Sequence, residues 1–192
     1  DKIALIIVET LKQYLYVFEE NKIPDAKKNF GDFSFINEVF QRCYLNDKNT
    51  ENYFTKIINN DSDLDYSRYT FFYINYLIEN NRYDQAKNIT DNLEYLNSSL
   101  LISQGKKWIE NKRLKEFQKI FSCRNSTDIV SEFFFLVANL YSSNNDYEQS
   151  NFYLNISHYL NPKFIFNLSL LAENHYLNKD YLNSKKILKF FN

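Results

Sequence analysis

Ser131–Phe164 reads SEFFFLVANLYSSNNDYEQSNFYLNISHYLNPKF, and Ile165–Asn192 reads IFNLSLLAENHYLNKDYLNSKKILKFFN. The two align without a gap at an offset of 34 residues, which lays Ala138 on Ala172, Asn144 on Asn178 and Asp146 on Asp180. The same offset lays Tyr147 on Tyr181, Ser150 on Ser184 and Leu154 on Leu188. Two antiparallel helices pack closely only where small side chains meet, so Ala138 and Ser150 read as a helix crossing, with Ser157 further along. Phe134, Val137 and Tyr141, at i, i+3, i+7 spacing, fill the space around it together with Leu154. Asn144-Asn145-Asp146 ends the first helix and caps the second, Asp146 accepting from its free N–H groups. Pro162 closes the unit, because the residue before a proline is disfavoured in the α conformation.

Upstream the pattern persists in looser form. In YTFFYINYLIENNRYDQAKNITDNLEYL, Asn80-Asn81-Arg82-Tyr83 matches Asn144-Asn145-Asp146-Tyr147, Ala86 takes the place of Ser150 and Leu77 that of Tyr141. Ile74 breaks the small-residue rule and predicts a wider crossing. In the next unit Gly105 holds the small place and Trp108 the aromatic one, with Leu114, Phe117 and Phe121 along the second helix. A glycine inside a helix costs about 1 kcal/mol against alanine, so a close approach at Gly105 is the expected compensation.

A 34-residue helix–turn–helix period with these small and aromatic places resembles the tetratricopeptide repeat. The resemblance covers Ser67–Asn192, and in overall look the chain is similar to bacterial proteins of that family built from degenerate units. It implies an all-α, right-handed solenoid of antiparallel helix pairs with about 10–12 helices. The units run 67–97, 98–130, 131–164 and a truncated 165–192. Residues 1–66 form a diverged part of the same solenoid, with a long helix over Ile3–Glu20 and a short helical turn opened by Pro24 and closed by Gly31. A degenerate helix pair then spans Asp32–Leu45 and Asp47–Asn60. Ile187, Leu188, Phe190 and Phe191 would stand bare at the end of the last unit, and solenoids need polar caps, so the native chain is expected to continue past Asn192.

Composition agrees with helices. The chain has two glycines and two prolines, too few to punctuate a β-sandwich or a nucleotide-binding α/β fold. Asn and Asp tolerate the left-handed conformation that helix ends require. The 23 basic and 24 acidic residues nearly cancel, which argues against nucleic acid as a partner. Ile3–Val8 is too short, and too soon followed by Glu9 and Lys12, to insert in a membrane. The chain contains no methionine, so it reads as a fragment or a processed product. Cys43 and Cys123, 80 residues apart without a partner motif, read as buried, reduced thiols in helices. The compartment stays open between cytoplasm and periplasm, because a signal could stand upstream of Asp1.

No constellation of residues points to catalysis, to a cofactor or to a metal. His158 and His175 are too far apart in sequence for the i, i+4 spacing of two ligands on one helix face. No two glycines lie close enough for a phosphate loop. Asp61, Asp63 and Asp65 alternate like a calcium loop, but Tyr66 and Phe72 stand where that loop needs Gly and Glu. They read instead as caps of the helix that follows. Asn88-Ile89-Thr90 and Asn155-Ile156-Ser157 fall inside helices and carry no weight as glycosylation sites.

The expected function is therefore that of a non-enzymatic scaffold that holds a peptide or helix of a partner protein on the concave face of the repeats. The resemblance puts the first helix of each unit on that face. By spacing, its members are Arg68, Phe71, Asn75 and Ile78, then Ile102 and Lys106, then Phe135, Asn139 and Ser142, then Phe166, Ser169 and Glu173. Asn75 and Asn139 offer amides to a peptide backbone, and Phe71 and Phe135 offer flat apolar area. The same phenylalanines serve equally well as contacts to the next unit. Family members that clamp a chaperone's C-terminal carboxylate have lysines on this face. Phe71, Phe135, Glu79 and Ser143 stand there instead, which argues against a clamp. The alternatives are a module that self-associates through bare repeat ends or aromatic faces, and a non-catalytic region of a larger enzyme or assembly factor.

Overall fold

A computed structural model describes residues 2–25, 28–59, 67–92 and 100–191. Among the described residues there are eleven α-helices and no strand. They are α1 (Lys2–Glu20), α2 (Asp32–Tyr44), α3 (Thr50–Ile58), α4 (Ser67–Glu79), α5 (Tyr83–Asn92), α6 (Leu100–Glu110), α7 (Lys115–Ile120), α8 (Ser126–Ser143), α9 (Tyr147–Leu160), α10 (Leu168–Leu177) and α11 (Tyr181–Leu188). Short 3₁₀ turns at Ile165–Asn167 and Lys189–Phe191 precede α10 and follow α11. The all-α expectation holds. The helical turn expected between Pro24 and Gly31 does not form in the described part of that stretch. Its backbone donors go to side chains: the Gly31 amide donates to Asn29 Oδ1 at 2.9 Å and the Phe30 amide to Ser34 Oγ at 2.8 Å. Gly31, at φ +66°, then opens α2. The acidic triplet at 61, 63 and 65 lies outside the described residues, as does the junction at 97/98.

Five helix ends share one geometry. Asn46, Asn81, Lys112, Asn145 and Lys179 each have a left-handed backbone, with φ between 56° and 61°. The amide of the residue after each donates to the carbonyl five positions back. These bonds run from Asp47 to Arg42 (2.9 Å), Arg82 to Leu77 (2.8 Å), Arg113 to Trp108 (2.7 Å), Asp146 to Tyr141 (3.0 Å) and Asp180 to His175 (2.8 Å). This closure satisfies carbonyls that a helix end would otherwise leave without donors. The left-handed residues follow one another at 35, 31, 33 and 34 positions, from 46 to 81, 112, 145 and 179. Asparagine takes three of the five places because its short polar side chain tolerates this conformation. Asp146 and Asp180 then cap the helices that follow, accepting from the Gln149 and Asn183 amides at 3.2 Å.

The described chain forms two compact units, residues 1–37 with 125–192, and residues 38–124. Within the first of these α1 packs against α8.

In the 38–124 unit α4 is the central element, in contact with α3, α5, α6 and α7. Every residue from Phe71 to Ile78 is buried. A helix apolar on all sides demands such a position. Phe40 meets Phe54, Phe72 and Phe121 edge-on at 6.4, 5.3 and 5.9 Å, and Phe71 stacks on Phe117 at 5.3 Å. A Cβ at Gly105 would come within 3.3 Å of the Phe117 ring and 3.4 Å of Phe71. The close approach expected at Gly105 is thus present, and its object is a stacked ring pair.

Cys43 and Cys123 are not free thiols. They form a disulfide with Cα atoms 5.7 Å apart, between the end of α2 and the turn after α7. Spacing along the chain carries no information about this pairing, because only the packing around α4 brings the two segments together. The same turn is held by Asn75 Nδ2, which donates to the Phe121 carbonyl at 2.7 Å, and by Arg124 Nη2, which donates to Asn46 Oδ1 at 2.7 Å.

In the other unit, α1 lies on α8 through Tyr14, whose ring meets Phe133 edge-on at 5.9 Å. The Tyr14 hydroxyl donates to Asn37 Oδ1 at 2.8 Å, and Asn37 Nδ2 donates to the Phe33 carbonyl at 2.7 Å, so no polar atom of this pair is buried unmatched. The hairpins α8–α9 and α10–α11 follow, joined by contact between α9 and α10. Ala138 is fully buried and Ala172 is 3 % exposed, while Ser150 and Ser157 are both fully buried. The small places read from the alignment are therefore closed contacts.

Candidate functional site

The twelve residues expected on one binding face divide into core, seam and surface. In the 38–124 unit the face does not exist as expected. Phe71, Asn75, Ile78 and Ile102 are buried, Phe71 under Phe117 and Asn75 bonded to the Phe121 carbonyl. For Phe71, Asn75 and Ile78 the reason is the all-round packing of α4 between Phe71 and Ile78. Arg68 is half-buried with its guanidinium 5.4 Å from the centre of the Phe72 ring, and Lys106 is half-buried.

In the other unit, Phe135 packs against the cluster of Ala138, Leu154, Leu168 and Leu171, so it is a contact between successive hairpins. Ser142 Oγ donates to Asn174 Oδ1 at 2.7 Å and belongs to the same seam. Phe166 is half-buried against Phe164 at 5.6 Å. Asn139, Ser169 and Glu173 remain. Asn139 is half-buried and donates to the Phe135 carbonyl at 2.8 Å; Ser169 is exposed and donates to the Phe166 carbonyl at 2.7 Å; Glu173 is exposed. They offer one amide, one hydroxyl and one carboxylate, which suits hydrogen bonding to a peptide.

The seam beneath that face was not anticipated from sequence. Asn174, fully buried, donates to Ser150 Oγ at 2.8 Å and Asn151 Oδ1 at 2.9 Å while accepting from Ser142, so one side chain ties α10 to α8 and α9. Lower down, Ser131 Oγ donates to the Ser157 carbonyl and Ser157 Oγ to the Ser131 carbonyl, both at 2.8 Å. Asn167 Nδ2 adds a bond to Ser157 Oγ at 2.6 Å. The signal for Asn174 was available in its place amid the apolar residues of LSLLAENHYL, where a lone buried amide needs partners.

Two ionic clusters brace the helix ends. Arg82 Nη1 and Nη2 each lie 2.6 Å from an oxygen of Glu51, and the Tyr73 hydroxyl donates to Glu51 Oε1 at 3.1 Å. The Arg82 hydrogen bond holds the Glu51 carboxyl below its ordinary range against the opposing effect of burial. Burial, and then the bond to Glu51, pushes the Tyr73 hydroxyl from 10.0 up to about 12. The folded state therefore keeps the Tyr73 proton more tightly than the unfolded chain does. Stability from this source is complete below pH 10.0 and lost as pH rises toward about 12. Tyr73→Phe is expected to flatten this alkaline limb when unfolding is followed by circular dichroism against pH. Superimposable limbs would mean that Tyr73 titrates alike in both states. At the other cluster, hydrogen bonds from Asn183 and then from His175 hold the Asp180 carboxyl low, with His175 Nδ1 at 3.1 Å from Asp180 Oδ2.

Among the described residues no three His, Cys, Asp or Glu side chains gather as a metal site, and no helix is long and apolar enough to cross a membrane. The described chain is thus all-α, and of the twelve residues expected on one face only Ser169 and Glu173, both on α10, are exposed. Comparison with protein-family models, with curated proteins and with solved structures finds no match.

Proposed function

We propose that this chain is a protein-binding scaffold of tandem helical hairpins, a right-handed solenoid of the tetratricopeptide kind that takes a peptide or helix of a partner protein. The observation that carries the reading is the recurrence of one hairpin turn at 46, 81, 112, 145 and 179, close to the 34-residue period of that repeat. It includes the 46 hairpin, where the sequence alignment is weakest. The burial of Ala138, Ala172 and Ser150 at aligned places supports the same reading. An array of this kind exposes a continuous series of first helices and gains contact area by adding units. The partner face lies on α8 and α10 at Asn139, Ser169 and Glu173, with Phe135 as its floor.

The test is capture of partners by the full-length protein, repeated with an Asn139→Ala/Glu173→Ala variant. Both positions lie outside the core, so the variant should melt as the parent does. Loss of the captured partner is the expected result. Undiminished capture by the variant removes this face from consideration.

A further inference from the structure

The charge of this chain is unevenly spread. Residues 106–124 hold seven basic residues and two acidic ones, a surplus of +5, so the remainder of a chain of net charge −1 carries −6. The α6–α7 hairpin fixes where the surplus lies. Leu101, Ile102, Gly105 and Trp108 of α6 and Phe117 of α7 are buried, so the apolar side of the hairpin is spent on the core of its unit. Lys107, Lys112, Arg113, Lys115 and Lys119 are all exposed. The left-handed turn at Lys112, closed by the Arg113 amide on the Trp108 carbonyl at 2.7 Å, gathers the first four of them at one end of the hairpin.

The fold does little to neutralise these cations. Among the described residues Glu116 is the carboxylate that pairs with them, its Oε1 lying 2.9 Å from Lys119 Nζ and 3.6 Å from Arg113 Nη2. Lys107, Lys112 and Lys115 form no ion pair with any described residue. Lys115 stands in the first turn of α7, where the helix dipole disfavours a cation. Like charges held together without local reward repel one another, and such a breach of local rules is expected where a surface serves a partner outside the fold.

We propose that the turn end of the α6–α7 hairpin docks an acidic stretch of a partner protein, an extended run of Asp and Glu side chains. This surface is separate from the face on α8 and α10 and does not depend on it. Charge complementarity carries the proposal, and the chemistry of the hairpin selects carboxylates among anions. Four of the five exposed cations are lysines, point charges on flexible stems that follow an irregular run of carboxylates; rigid, bidentate recognition is the work of arginine. Single-stranded nucleic acid needs aromatic faces for its bases, and Trp108, Phe117 and Phe121 are at most 9 % exposed. An anionic membrane needs apolar groups that insert beside the cations. In this hairpin the exposed large apolar side chain is Leu100, which begins α6 and so lies about 15 Å along the helix from the turn.

The probe is a fluorescein-labelled peptide of alternating Glu and Ser, titrated into the full chain by fluorescence anisotropy beside the same peptide with Gln for Glu. The expected result is saturable binding of the Glu peptide that weakens as salt rises from about 50 to about 200 mM, with the Gln peptide roughly tenfold weaker or more. Lys112→Glu/Lys115→Glu should weaken the Glu peptide roughly tenfold or more, and Lys112→Arg/Lys115→Arg should retain it. Lys185→Glu/Lys186→Glu, which changes net charge by the same amount on α11, should bind as the parent does. All four positions are exposed, so circular dichroism and melting curves should match the parent's. Asn139→Ala/Glu173→Ala should also bind the Glu peptide as the parent does, so this reading and the one on α8 and α10 fail separately. The proposal is overturned if the Glu peptide does not saturate or if the Gln peptide binds alike. It is equally overturned if Lys112→Glu/Lys115→Glu binds undiminished or loses no more than the α11 control. A DNA oligonucleotide or anionic lipid vesicles that bind more tightly than the Glu peptide, and are lost in the same variant, would replace the acidic peptide and overturn it too. So would a dimer that this variant dissociates, which would make a second copy the occupant.

Discussion

Replacing Cys43 with alanine is expected to destabilise the 38–124 unit by about 4 kcal/mol, read as a lower urea midpoint. The bond spans 80 residues, and closing a loop of that length removes a large share of the unfolded chain's freedom. It also fixes the turn after α7, whose Phe121 ring packs on Phe40 and Phe72 at 5.9 and 4.3 Å. Both sulfurs are buried, with Cys43 fully so and Cys123 4 % exposed, which makes native-state reduction slow. The double variant Cys43→Ala/Cys123→Ala should match the single one, since a lone buried thiol packs like a small apolar side chain. Parent protein unfolded in reductant should fall to the same midpoint. A parent curve indifferent to reductant would mean that the two sulfurs are not joined in solution. Bonds of this kind persist in oxidising compartments, so the same measurement bears on where the protein folds.

The disulfide marks one limit of what the sequence could reveal. Local devices were legible: the small residues at 138, 150 and 172, the aspartate caps at 146 and 180, and the close approach at Gly105 all act within a hairpin or between adjacent helices. Pairing of Cys43 with Cys123 depends on how α2 and the turn after α7 both come to flank α4, and no periodicity encodes that. The binding face failed on α4 for a reason that was present in the letters. TFFYINYLI has apolar residues on every side of a helix, which demands burial all round and leaves Phe71 and Asn75 no solvent to face. On α8 the expected residues divide between the seam and the surface. Repeat logic assigns Phe135 and Ser142 to the side where the next unit seats, and α10 is that unit. Only residues that the following helix does not cover, Asn139 and its successors on α10, keep a free side. The turn motif was partly legible as well. Asn-Asn-Arg and Asn-Asn-Asp stood out at 80–82 and 144–146, whereas Lys112 and Lys179 take up the left-handed conformation despite a cost of about 1 kcal/mol each, so residue type alone hides them.

Substituting alanine for Asn174 is expected to cost about 3 kcal/mol, the largest effect of any single polar residue in the unit that holds α8–α11. Its amide makes three bonds to two helices, and of the three partners Ser150 is fully buried while Ser142 and Asn151 are half-buried. Ser150 Oγ, fully buried, would lose its donor, and the shortened side chain would leave a cavity beside Leu154 and Leu171. Asn174→Asp separates geometry from charge. The carboxylate keeps the bond from the Ser142 hydroxyl, but it cannot donate to Asn151, and its burial favours the neutral acid. Its folded-state pKa is then raised, so the aspartate variant should be more stable at acidic than at neutral pH, with stability lost as pH rises through that pKa. Glu173→Ala, one position away on the exposed side of α10, serves as the control and should stay within about 0.5 kcal/mol of the parent. If Asn174→Ala falls within the same margin, α10 is seated by its leucines alone.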